Sequence, residues 1–323
     1  MRERRATIQP QTGLLVVAAL IACGGSTGPS VTLTHPALTG IGSVSAPGRP
    51  YGVAISRQGR TYVSLLDVSE VVQDAALPVD ALLSPIPVGV QPPHVVFNPA
   101  GDRAYVTNQA GQSMSVIDVS AGTVIATVPL GNDGFNLITS RDGGKVFVSV
   151  ATGQVYVVDA GTNAIVDSLQ FGPAVNGFAR HPTQNLIYIS SRDGGNVSEV
   201  NAGTDAVVRT FTLGGLPQRL AVSPDGNELL VANEVNGLEI WKLGTGQRDT
   251  TIAIGAYGLG LSPDGLKAYV TDAHGGHITI VDRLTRAVDT VLTVGGITRN
   301  VAFDREGKTA VVTNEADFVT VVH

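Results

Sequence analysis

The stretch TDAHGGH, Thr271 to His277, sets an aspartate and two histidines within seven residues. Carboxylate and imidazole groups bind divalent ions, and several of them must converge on one point to do so. Asp272 and His274, with Glu234 and Glu315, form a candidate site for a divalent cation such as Ca2+ or Zn2+. His277 begins the next strand-like run, and alternate side chains of a strand part to opposite faces. An ion held by this set would support a hydrolase or lyase. Other chemistry has less to stand on. The chain has no GxSxG for a nucleophile elbow and no CxxCH for haem attachment, although His94 could face a haem iron. A paired-carboxylate glycosidase needs a separation that sequence does not give.

The one cysteine, Cys23, rules out an intramolecular disulfide and a cysteine-based zinc cluster. Its setting suggests another use. Arg2, Arg4 and Arg5 precede the apolar run Gly13 to Ala22, which is too short to span a bilayer but suits a secretory signal. Leu20-Ile21-Ala22-Cys23 resembles the lipobox of bacterial lipoproteins, in which cleavage precedes the cysteine and the cysteine is lipidated. That resemblance implies a signal peptide over 1–22, lipidation at Cys23 and a lipid-anchored place in the bacterial cell envelope. Gly24, where an aspartate would favour retention in the inner membrane, fits the outer membrane. Residues 23–38 are rich in Gly, Ser, Thr and Pro and read as a flexible tether. The net charge of −6 argues against a nucleic-acid partner, which selects a basic face.

The candidate residues need elements to position them, and those elements repeat. AYVTN at Ala104–Asn108 recurs as AYVTD at Ala268–Asp272, and more loosely as TYVSL, VFVSV, IYISS, LLVAN and AVVTN. A turn precedes each copy. These turns end at Gly59, Gly101, Gly143, Gln184, Gly226, Gly265 and Gly307, at intervals of 39 to 42 residues. Charged residues are 15% and no long amphipathic helical pattern appears. Short β-branched and apolar runs separated by turns, at a period near 40, are the signature of β-propeller blades. In "HVVFNPAGDRAYVTNQAGQSMSVIDVSAGTVIATVPLG" four strands can be read between turns. The first blade is irregular: LLDVSEVVQDAALPVDALLSPIPVG shows no clean third strand. The seventh unit ends at His323 after three strands, and Gly40–Ala46 matches a fourth strand with no unit before it. The reading is an all-β, seven-bladed propeller over 39–323. Its N-terminal strand completes the last blade and closes the ring.

The YVTN copies, the SPDG turns and the phrase GGLPQRLAVSPDG resemble the YVTN-type β-propeller repeat family over essentially all of 39–323. That resemblance speaks for fold and leaves function open. Members of the broad class include surface-exposed proteins, and related propellers serve in periplasmic redox enzymes; metal-dependent lactonases are propellers with acidic rims. The tyrosines Tyr105 and Tyr269 read as packing between blades, and Trp241 likewise. His181 replaces a turn serine and reads as exposed.

The mouth of the channel, where the loops entering each first strand gather, is where a ligand would bind. The position seven before each turn end is Gly52, His94, Asn136, Gly177, Arg219, Gly258 or Asn300, preceded by Tyr51, Pro93, Phe135, Asn176, Gln218, Tyr257 or Arg299. From these, His94, Asn136, Arg219, Tyr257, Arg299 and Asn300 are the candidate ligand-binding residues. Asn side chains at the ends of the second strands would otherwise cap loop backbone. With no catalytic constellation standing out, the leading expectation is a monomeric, non-enzymatic binding or scaffold module without a cofactor, for a protein, peptide or glycan at the cell envelope. The alternatives are a lactonase-like hydrolase or lyase with a divalent ion, and an accessory subunit of a periplasmic redox system.

Overall fold

A computed structural model of the chain describes residues 31–74 and 83–323. Cys23 and the signal segment lie outside the described residues. The unit from Thr32 to His323 is built from seven four-stranded antiparallel sheets. Blades 1 to 6 each use four consecutive strands. Blade 3, for example, comprises Gly134–Thr139, Lys145–Val150, Gln154–Asp159 and Ala164–Gln170. Blade 7 takes Thr298–Phe303, Ala310–Asn314 and Phe318–Val322, and receives Ile41–Ser45 as its outer strand. Ile41 lies opposite Val322 and Ser45 opposite Phe318. The two ends of the propeller are therefore zipped together, as the missing fourth strand of the last repeat required.

Blade 1 is more regular than its sequence suggested. Glu70–Asp74 forms a third strand between Thr61–Leu65 and Leu83–Pro87. Its two valines are buried while its polar ends are partly exposed, so the apolar signal covers only Val71 and Val72.

The core lies between blades. Tyr105, Met114 and Val116 of blade 2 pack with Leu137, Val146 and Val148 of blade 3. Val311 and Val319 of blade 7 pack with Val63 and Val72 of blade 1. Second strands are buried along their length, whereas outer strands such as Ala206–Thr212 are mostly exposed. This explains why the YVTN copies are the best-kept part of the repeat. Tyr62, Tyr105, Tyr188 and Tyr269 are all within the inter-blade core. Trp241 is there too, edge-on to Phe211, with its indole N–H donated to Glu239.

The polar letters of the motif have structural work as well. The next-to-last position of the copies, mostly Ser or Thr, places a hydroxyl where the first strand bulges. In blade 7 the register slips between Thr298 and Val301, and the Asn300 N–H donates to Thr313 Oγ1 at 3.0 Å. That hydroxyl donates in turn to the Tyr51 carbonyl of blade 1 at 2.6 Å. Ser64, Thr107, Ser190 and Thr271 make the same outward bond to Pro93, Phe135, Gln218 and Arg299 carbonyls of the following blade. Hydroxyls thus latch neighbouring blades around the ring. Blade 5 has Ala232 at this position.

The closing Asn ties loops together, as the capping reading anticipated. Asn233 Oδ1 accepts from Leu216, Val235 and Asn236 N–H, and its Nδ2 donates to the Gly214 carbonyl. Asn314 and Asn108 make similar bridges. His181 departs from expectation. It is buried, and its Nδ1 accepts from the Thr183 and Gln184 N–H groups. The imidazole holds N–H groups inside the turn, whereas Ser140 Oγ and Ser223 Oγ accept from Lys145 and Glu228 N–H beyond it. Residues 31–38, the described part of the expected tether, form no strand but touch the propeller. Thr34 N–H donates to the Glu306 carbonyl, and His35 Nδ1 lies 2.7 Å from Asp264 Oδ2.

Candidate functional site

Each first strand starts at the loop face and runs down the channel wall, so its opening residues ring the mouth. Three of the seven mouth positions are glycines for a steric reason. A Cβ would lie 1.7 Å from the Arg299 carbonyl at Gly258 and 1.9 Å from the Gln218 carbonyl at Gly177. The next blade comes too close for a side chain there, and Gly52 faces the Pro93 carbonyl similarly. The other four positions, His94, Asn136, Arg219 and Asn300, send side chains toward one another.

Arg219 is the centre of this group and is 6% exposed. Its Nε donates to Asn300 Oδ1 at 2.8 Å, Nη1 to the Asn176 carbonyl, and Nη2 lies 2.6 Å from His94 Nε2. His94 Nδ1 sits 2.9 Å from the Phe135 carbonyl. A carbonyl only accepts, so Nδ1 carries the proton and Nε2 is the bare acceptor for Arg219. Burial, and next the Arg219 charge, hold His94 well below its ordinary pKa, which keeps the ring neutral. Its lone pair is thereby already engaged by a guanidinium. Asn136 Nδ2 joins from blade 3 by donating to the Asn176 carbonyl at 2.7 Å, and Asn300 Nδ2 donates to the Tyr51 carbonyl at 2.7 Å.

Above this plug lies an aromatic and cationic layer. Tyr51 and Tyr257 share a hydrogen bond of 2.6 Å between hydroxyls, across the channel from blade 1 to blade 6. Burial, then the Tyr257 neighbour, push the Tyr51 pKa up, so the Tyr51 hydroxyl keeps its proton at ordinary pH. Arg299 stacks 4.6 Å from the Tyr257 ring centre and 5.4 Å from that of Tyr51. Arg219 lies under Tyr257 and Phe135 at 5.9 and 5.7 Å. Phe135, Asn176, Tyr257 and Arg299 remain partly exposed. Beside Phe135, a cavity of about 350 Å³ opens between loops, lined by Asp133, Pro173, Val175, Asn176 and Asp193 among others. The six expected ligand-binding residues are thus brought to one mouth. Four of them, His94, Asn136, Arg219 and Asn300, form its floor, and Tyr257 and Arg299 its upper layer.

The acidic set is distributed differently. Glu234, Asp272 and His274 line a small cavity of about 100 Å³ next to Tyr257. Glu315 is engaged elsewhere, by Arg299 and by Arg49 at 3.0 Å. Glu234 accepts from Gln218 and pairs with Arg192 at 3.3 Å. Asp272 Oδ1 accepts the His274 N–H at 2.9 Å, and Oδ2 lies 3.4 Å from His277 Nδ1. Among the described residues, no three or more His, Cys, Asp or Glu side chains are placed together to hold a metal ion. What sequence reading missed is the wiring. His94 and Arg219 are 125 residues apart and Arg219 and Asn300 are 81 apart. Only the shared register position connects them in the sequence.

No protein-family model matches the chain. Over 137 residues it is 34% identical to YncE, an uncharacterized protein of Salmonella typhi, and equally to the YncE protein of Salmonella typhimurium. Each match covers 40% of this chain and 38% of the relative, so the chain aligns with well under half the length of those curated proteins. Among solved structures, a chain titled Kuenenia stuttgartiensis hydrazine synthase superposes with a TM-score of 0.75. It is 18% identical, and the superposition covers 93% of this chain and 99% of that one. At that identity the likeness is one of fold, and with the seven closed sheets it makes this chain a seven-bladed β-propeller.

Proposed function

We propose that the protein is a YVTN-type propeller, lipid-anchored through Cys23 outside the cytoplasm, that binds a protein, peptide or glycan on its loop face without catalysing a reaction. The observation that carries this reading is the partly exposed layer of Phe135, Tyr257 and Arg299 beside a 350 Å³ cavity. Tyrosine and arginine on a rigid, preorganised frame are the residue types that concentrate binding energy. The buried plug below supplies that rigidity, since its polar atoms already satisfy one another. The similarity to the YncE proteins is consistent with a YVTN-type assignment.

The test is a screen of the purified chain against peptide and glycan arrays, beside an assay with ester and lactone substrates in the presence of Ca2+, Mn2+ or Zn2+. A ligand whose signal falls at least tenfold in the Phe135→Ala/Tyr257→Ala double variant supports the reading. Metal-dependent turnover lost in Asp272→Asn would replace it with the hydrolase alternative.

A further inference from the structure

The channel has a second mouth. First strands begin at the loop face and end in the turns Ser56–Gly59, Ser140–Gly143 and their equivalents, so those turns surround the opposite opening. There a cavity of about 650 Å³ is lined by Arg57, Arg141 and Arg180, by Pro99 and Pro182, and by wall residues such as Ile138.

The three arginines come from blades 1, 3 and 4. Arg57 and Arg141 occupy the second turn position, where blades 2, 4, 5 and 6 have proline. Arg180 is the more unusual. It ends the strand Val175–Arg180, at a register position that holds Ile55, Phe97, Thr139, Val222, Leu261 or Phe303 in the other blades. An apolar or small position of the fold has thus been given to a cation. Arg180 Nη1 donates to Thr139 O, Thr139 Oγ1 and Ser140 O at 3.2, 3.1 and 3.4 Å. Its Nε and Nη2 meet no protein acceptor among the described residues. Arg141 Nε donates to the Pro182 carbonyl at 3.1 Å. Among the described residues no carboxylate pairs with any of the three. Asp142, the nearest in sequence, has Oδ1 occupied by Ser140 Oγ and the Gly144 N–H. Burial, and after it the charges of Arg57 and Arg141, lower the Arg180 pKa. Three like charges facing one cavity repel one another and are stable together when an anion joins them.

We infer that this second mouth is a binding site for a small molecule bearing a multiply charged oxyanion group, held by Arg57, Arg141 and Arg180. Guanidinium groups suit phosphate and clustered carboxylates alike, because each presents paired N–H donors to paired oxygens. The cavity volume fits a ligand of modest size. Pyrophosphate and citrate are therefore the probes, titrated calorimetrically into the full chain at constant ionic strength. One of them should bind with one-to-one stoichiometry, and the stronger of the two identifies the ligand as a phosphate ester or a polycarboxylate. Arg180→Gln should weaken that binding tenfold or more. The Arg57→Gln/Arg141→Gln double variant alters exposed side chains only and should do the same without changing the melting temperature in the absence of probe. Failure of both probes to bind, or equal affinity in the double variant, overturns the inference.

Discussion

Replacing Asn233 by alanine would test how the last letter of the repeat motif holds the loop face in place. Asn233 is fully buried, yet four backbone groups depend on it. Its Oδ1 accepts from Leu216 N–H at 2.8 Å, Val235 N–H at 3.2 Å and Asn236 N–H at 3.3 Å. Its Nδ2 donates to the Gly214 carbonyl at 3.0 Å. Two of these groups belong to the loop entering blade 5 and two to the loop after its second strand, so one side chain fastens both. At roughly 1 kcal/mol for each bond lost, with water able to reach the partly exposed loop, Asn233→Ala should cost about 3–4 kcal/mol. In a domain of this size that lowers the melting temperature by about 6 °C. Asn233→Asp keeps the acceptor for all three N–H groups, but loses the donor and turns a carboxylate oxygen toward the Gly214 carbonyl. Blade 6 already carries Asp272 at this position, accepting the His274 N–H. The aspartate variant should therefore lose less than the alanine variant. Urea unfolding of both variants, with m-values compared, is the assay. A loss under about 1 kcal/mol in the alanine variant would refute the reasoning, as would an aspartate variant no better than alanine.

Three other outcomes follow from the same structure. A chain starting at Ala46 lacks the strand Ile41–Ser45 and leaves Phe318–Val322 unpaired on one side, so its stability should fall by about 3–5 kcal/mol; an unchanged melting temperature would contradict ring closure. His94 has a lowered folded pKa, so below the unfolded value of 6.5 the unfolded chain holds the extra proton. Its contribution is full above that pH and is lost as pH falls, by up to about 1.4 kcal/mol per unit, and His94→Gln should flatten melting curves collected between about pH 7 and 5. Cys23→Ser should move the protein from the membrane to the soluble fraction on cell fractionation, and persistent membrane association would count against the lipid anchor.

Much of the fold was legible because each blade meets the same packing problem. Tyr105 and Tyr269 must fill an inter-blade space, and Gly226 and Gly265 must turn with positive φ, so the same residue types return at the same interval. Closure was legible because Gly40–Ala46 had no other partner. Contacts between blades left no such trace. The Thr313 hydroxyl reads as one more β-branched strand residue until the Tyr51 carbonyl is seen beside it. His181 reads as a polar turn residue, but two backbone N–H groups draw its ring inside. Arg219, His94 and Asn300 stand at equivalent positions of three blades, and only closure of the ring turns equivalence into contact. The arginines of the second mouth were overlooked for the same reason, since Arg57, Arg141 and Arg180 look like ordinary charged turn residues in a chain of net charge −6.

The most direct test of the loop face as a binding surface, and not a metal-dependent catalytic centre, is metal analysis of the purified chain with thermal melts in Ca2+, Mn2+ and Zn2+. No stoichiometric ion and no shift with any of the three is the expected result. A bound equivalent, or a stabilisation of several degrees that disappears in Asp272→Asn, would contradict it and would put Glu234, Asp272 and His274 at the centre of the protein's chemistry.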